Sequence, residues 1–174
     1  MKETVEEYKQ RIAGYITGQD PLKVQATTAD KIAKLMKGAP RAKLTKQPAP
    51  GKWSVAEILA HIADTEIVAG YRMRSVLGNP GGPIAAYDQD KWAAAENYAK
   101  HDPKLSLETY RTIREANLRM LKLLKPEQWK LSGIHAERGE ESIERITLMM
   151  AGHDLNHLRQ IEAILAPAKA PKKK

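Results

Sequence analysis

Apolar positions recur along this chain at three- and four-residue spacing, and prolines cut the pattern into pieces. Ten prolines stand at 21, 40, 48, 50, 80, 83, 103, 126, 167 and 171. Because proline breaks helix interiors, the long stretches between them, 51–79, 104–125 and 127–166, mark one amphipathic helix each. A fourth helix opens at Asp20-Pro21, an N-cap followed by proline at the first helical position, and runs to Met36-Lys37-Gly38. A further helical stretch is expected near residues 4–17.

The best-marked start is Ser54-Val55-Ala56-Glu57, a capping box in which serine and glutamate satisfy each other's backbone donors. Val55, Ile58, Leu59, Ile62, Ala69, Met73 and Val76 form the apolar stripe of that helix, which should end at Gly78-Asn79-Pro80. The last helix is expected to begin at Ser142, with Ile146, Met149, Met150, Ile161 and Ile164 facing inward. Residues 79–103 form a long Gly- and Pro-containing connection with a short helix around Gln89 to Tyr98, and connections of that length tend to shape sites. Strand signals are weak, since β-branched residues never alternate over a sustained run. The expected fold class is all-α, a four-helix bundle.

Length and composition are consistent with one domain. The 174 residues are 42% apolar or aromatic and 29% charged, which excludes a disordered chain, and no stretch reaches bilayer length. The opening MKETVEEYKQ has no apolar run, so no secretory leader is expected and a cytoplasmic location is the default. The absence of cysteine excludes disulfides, thiolate nucleophiles and cysteine-held zinc. Of the net charge of +8, four units are Lys169, Lys172, Lys173 and Lys174, so the body carries only +4. The expected boundaries are a domain over 1–167 and a solvated basic tail over 168–174.

Two histidines, His153 and His157, lie four apart in AGHDLNHLRQIEAIL and fall inside the apolar stripe. Neighbouring imidazoles at this spacing can share a metal ion. By itself HxxxH reads more readily as a pair of polar core residues bonded to backbone or side chains. The motif is not HExxH, because residue 154 is aspartate. His61, at the edge of the stripe of the capped helix, changes the balance: ligands from facing helices of a bundle converge, and three histidines leave a fourth position open. Glu66, near the centre of that stripe, is expected either to orient a ligand or act as acid or base, or to pair with an arginine such as Arg72 or Arg159. Gln160 faces inward. His135 can reach the mouth of the bundle, and His101 is expected to be exposed. Asp64 and Asp154 are expected on the flanks. Tyr87, Asp88, Asp90 and Trp92 are candidate pocket residues in the long connection.

The segments PAPGKWSVAEILAHIADTE, AAYDQDKW and ERGEESIERITLMMAGHDLNHLRQIEAI resemble the DinB-like superfamily, including its YfiT-like group, from about residue 4 to residue 165. The resemblance implies an up-down-down-up bundle, often dimeric, with His61, His153 and His157 at the positions of the family's three-histidine metal site. It also implies one of two chemistries on small molecules, transfer involving a low-molecular-weight thiol such as glutathione, mycothiol or bacillithiol, or hydrolysis. The expectation is therefore a metal-dependent S-transferase or hydrolase holding a divalent ion, zinc or nickel, without membrane attachment and without nucleic acid as its partner. The alternative is a non-catalytic helical module with a structural metal or a basic surface for nucleic acid or a protein partner.

Overall fold

In the computed structural model, which describes residues 3–167, seven helices and three short strands follow one another. Helix α1 (Val5–Ile16) starts in a Thr4/Glu7 capping box, and α2 (Pro21–Met36) starts at Asp20, whose carboxylate accepts from the backbone N–H groups of Leu22 and Lys23. A five-residue helix, α3 (Arg41–Thr45), turns the chain into α4 (Val55–Gly78). The Ser54/Glu57 box closes as expected: Ser54 N–H donates to Glu57 at 2.7 Å and Glu57 N–H to Ser54 Oγ at 3.3 Å. Then come β1 (Pro83–Ile84), α5 (Gln89–Ala95), a 3-10 turn (Tyr98–Lys100) and α6 (Pro103–Lys122), capped by Asp102. A second 3-10 turn (Pro126–Lys130) leads to β2 (Ser132–His135), β3 (Gly139–Ser142) and α7 (Ile143–Leu165).

The apolar clusters fix the helix directions. At one end of the core, Ile32 and Met36 late in α2 and Leu158 and Ile161 late in α7 meet Ile58 and Leu59 early in α4 and Leu107 and Tyr110 early in α6. At the other end, Met73 and Val76 late in α4 and Leu121 late in α6 meet Ile143 and Ile146 at the start of α7. Helices α4 and α6 therefore run parallel to each other and opposite to α2 and α7, which is the up-down-down-up order. A parallel neighbour requires the chain to travel back along α4, about 36 Å for a helix of this length. Residues 79–102 make that return, which accounts for their length.

Helix α1 packs along α7 through a close approach at Gly152. A Cβ there would come within 2.2 Å of the Ile12 carbonyl oxygen, so only glycine lets the two helices meet. Every apolar stripe position expected on α4 is buried.

Strands were the missed element. β2 pairs parallel with β1 and antiparallel with β3, and Gly139 takes a φ of 75° at the end of the three-residue hairpin turn. Strands of two to four residues are too short to show a period-2 pattern, and their pairing is set by contacts distant in sequence. Among the described residues no helix is long and apolar enough to cross a membrane. The basic tail expected over 168–174 lies outside the described residues.

Candidate metal centre

Three buried imidazoles meet between α4 and α7. His61 lies in the second turn of α4, and His153 and His157 sit one turn apart on α7. The Nε2 atoms of His61 and His157 each lie 3.0 Å from Nε2 of His153, and one nitrogen from each ring falls within 4.8 Å of the others. All three rings are at least nine-tenths buried. Burial depresses the basicity of each, to a pKa of about 4 for His157 and well below the ordinary 6.5 for His61 and His153, whose neighbouring imidazoles push further in the same direction. The rings are therefore neutral at physiological pH.

A neutral imidazole carries one N–H and one lone pair. His157 Nδ1 lies 2.9 Å from Gln160 Oε1, which can only accept from it, so the proton sits on Nδ1 and the Nε2 lone pair faces the cluster. Gln160 thus touches the site although its residue is exposed. Nδ1 of His61 and of His153 is buried without a partner among the described residues. Trp53 lies against His61, ring centroids 4.9 Å apart, and closes one side. Tetrahedral ligation at Zn–N lengths of 2.0–2.1 Å would set nitrogens roughly 3.3 Å apart, so the donor set and its spacing suit a divalent late first-row ion.

A cleft of about 730 Å³ opens on the cluster, lined by all three histidines, Trp53, Asn156 and Tyr8. Glu3, Tyr8, Gln89 and His153 also line a second cavity of about 360 Å³, which reaches Arg72, Tyr87, His135 and Arg138. From the connection, Tyr87 and Asp90 line these cavities, Asp88 caps α5, and Trp92 packs edge-on against Tyr87 at 5.1 Å. His135 does reach the site, buried in the second cavity. His101 is half-buried against Tyr98 rather than exposed.

Two expectations are corrected. Glu66 does pair with an arginine, but with Arg114, whose Nη2 donates to it at 2.7 Å; Asn117 Nδ2 donates to its other oxygen, also at 2.7 Å. Arg72 instead donates to the Ala85 carbonyl, and Arg159 lies over the Tyr15 ring. Asp154 is not on a flank: it is buried, held by Arg114 at 2.5 and 3.0 Å and by the Tyr110 hydroxyl at 2.9 Å. Helix α7 packs against α1, α2 and α4 at once, so its buried arc is wider than a two-sided stripe. Asp64 is half-buried and accepts from the Tyr98 hydroxyl.

Arg72 and Tyr8 were missed as cavity-lining residues, and Arg114 as the partner of two carboxylates. For the arginines a signal existed. Arg72 falls in step with Ala69, Met73 and Val76, and Arg114 with Tyr110, Leu118 and Leu121, so both sit on buried faces. Tyr8 likewise falls in step with Ile12 and Ile16, but its place at the cleft had no local signal, because α1 reaches the cleft only through its packing on α7.

Comparison with known proteins places these features in a wider set. A family-wide profile described as "DinB superfamily" matches residues 26–161. The chain is 27% identical over 149 residues to "Putative metal-dependent hydrolase OB0413" of Oceanobacillus iheyensis, covering 83% of each chain. It is 25% identical over 126 residues to "Putative metal-dependent hydrolase BH0277" of Halalkalibacterium halodurans, covering 72% of this chain and 73% of that one. Its fold is similar to that of YfiT from Bacillus subtilis, described as "a probable metal-dependent hydrolase with an unusual four-helix bundle topology". That likeness has a TM-score of 0.75 at 17% identity and covers 93% of this chain and 89% of the other.

Proposed function

The chain belongs to the DinB superfamily, and from that premise we propose that it is a metal-dependent enzyme, a hydrolase of a small molecule, whose divalent cation is held by His61, His153 and His157. The observation that carries this reading is the convergence of three buried, neutral imidazoles with their Nε2 atoms at 3.0 Å contacts. At most one proton can serve each such contact, and opposed lone pairs repel. A cation at the centre turns that arrangement into a donor set.

When bound, the cation supplies Lewis acidity, which makes a nucleophile available near neutral pH and polarises the electrophile. The protein side chains do the rest. Gln160 fixes the tautomer of His157. Trp53 shields His61 from water. Tyr8, whose phenol is raised in pKa by burial, stays protonated and can donate a hydrogen bond into the cleft. Zinc or nickel suits three neutral nitrogens. Water is the nucleophile in the hydrolytic reading; because the chain has no cysteine, a transferase would need a low-molecular-weight thiol from outside.

The test is elemental analysis of untagged protein, wild type beside His157→Ala. Wild type is expected to hold close to one zinc or nickel per chain and the variant almost none. Wild type that stays empty after incubation with both metals, or a variant that retains its metal, overturns the assignment.

A further inference from the structure

Arg72 is a buried cation without a counterion. It is 8% exposed on α4, and it forms no ion pair among the described residues. Its Nε and Nη2 donate to one acceptor, the Ala85 carbonyl, at 3.0 and 2.7 Å, and Nη1 has no hydrogen-bond partner there. The Tyr87 ring lies 5.7 Å from the guanidinium carbon and adds a weak attraction. A buried guanidinium with no carboxylate in contact is costly. Such a group calls for an explanation, and the explanation lies in what surrounds it.

The one other cationic side chain lining the 360 Å³ cavity is answered. Arg138 is bound by Glu141 through two hydrogen bonds, at 2.8 and 2.7 Å. Glu3, also on the lining, is taken by Arg11 at 2.7 Å. Glu137, on the exposed hairpin turn, and Glu141 lie near enough for their charges to attract Arg72, but neither reaches ion-pair distance of it. Beside Arg72 the cavity presents His135, 2% exposed at the end of β2. Its Nδ1 accepts from the Glu137 backbone N–H at 3.1 Å, so its proton is on Nε2, and that buried N–H has no partner. Burial, and then the charges of Arg138 and Arg72, hold this imidazole neutral, a donor rather than a second cation.

Arg72, with Nη1 unused, and His135, with its Nε2–H unused, therefore both belong to the lining of a cavity that adjoins the three-histidine cluster through His153. We propose that Arg72 and His135 form an oxyanion subsite, which takes a carboxylate or phosphate group of the small molecule whose reacting end lies at the histidine cluster. That the bound molecule is a substrate rests on the metal-enzyme reading; that the cavity binds an oxyanion does not. The parallel donors of a guanidinium suit a planar carboxylate, and the 360 Å³ volume suits a small acid.

The test separates the two readings. Succinate, and separately inorganic phosphate, is titrated by calorimetry into full-length protein freed of metal by chelation, so that a bound cation cannot hold the anion. At least one of the two is expected to bind saturably, with a dissociation constant of about 1 mM or tighter. Arg72→Gln should weaken it roughly tenfold or more, because a charge-assisted pair is lost. Because Arg72 also ties α4 to the segment after β1, a second variant is needed. His135→Asn keeps an acceptor near the position of Nδ1 and removes the Nε2–H; it should weaken binding severalfold, and it carries the test alone if Arg72→Gln does not fold.

No saturable binding of either anion, or equal affinity in the Arg72 and His135 variants, overturns the subsite. Metal content measured on the same preparations decides the other reading independently. Oxyanion binding in a protein that never takes up zinc or nickel leaves the subsite and removes the metal centre. Stoichiometric metal without oxyanion binding does the reverse.

Discussion

Two clusters of buried polar side chains share the bundle, and they are satisfied in opposite ways. His61 and Glu66 are five residues apart on α4, and His153 and Asp154 are adjacent on α7, yet each pair is divided between the clusters. In the cluster of Glu66, Arg114 and Asp154, both carboxylates receive donors: Arg114 reaches each, Asn117 donates to Glu66, and Tyr110 donates to Asp154. Asn117 is held in turn by Arg74 at 2.6 Å. Only Nε of Arg114 lacks a partner there, and the guanidinium lies over the Tyr110 ring at 4.8 Å. Among the histidines, by contrast, the Nε2 atoms share contacts that at most one proton each can serve, and in the adjoining cavity Arg72 and His135 keep donors unused. A network complete within the protein belongs to the fold, whereas one left incomplete beside a cavity belongs to what the cavity receives.

The most severe way to break this contrast is to open the complete network. Arg114→Met strands two carboxylates in the core and should cost about 3–5 kcal/mol of unfolding free energy in urea. A loss below about 1 kcal/mol, the range of an exposed ion pair, would show that water already serves these groups.

Acid probes the incomplete cluster in the metal-free protein. Unfolded imidazoles take up protons near pH 6.5, while the folded rings resist, His157 down to about pH 4. Between those values the unfolded state binds more protons, so stability is full above pH 6.5 and falls as the pH is lowered towards 4. For His157 alone that amounts to about 3 kcal/mol. His157→Leu should remove its share of the acid-side loss in urea titrations at pH 7 and pH 5, while Arg114→Met should leave that loss in place. An equal pH dependence in wild type and His157→Leu would mean that the ring is not buried neutral.

The smallest effect concerns the cap beneath the site. Ser54→Ala should lower stability by about 1 kcal/mol and leave zinc affinity within about twofold, since it frees one backbone N–H, that of Glu57, one turn before His61. A tenfold loss of affinity would show that the start of α4, rather than its packing, positions the histidine.

How much was legible follows from where each signal resides. Ser54 and Glu57, Asp20 and Pro21, and the stripe from Val55 to Val76 are local, and the helices they mark are present. The histidine triad was legible too, because His153 and His157 stand in helical phase and His61 shares its stripe with residues that are all buried. The partner of Glu66 was not, since Arg72, Arg114 and Arg159 are equally arginines in sequence and only the juxtaposition of α4 with α6 selects Arg114. Asp154 was misplaced because a helix touching three others buries more of its circumference than periodicity implies.

The sequence by itself determined the helices, their caps, the absence of a cysteine nucleophile and the three histidines, because these depend on residue type and on spacing within a few turns. The tertiary structure alone decided that residues 132–142 and 83–84 form a sheet, that Tyr8 reaches the cleft, and that Arg114 is answered while Arg72 is not. Those outcomes depend on which groups meet across helices distant in the chain, and a buried charge has no partner until the fold supplies or withholds one.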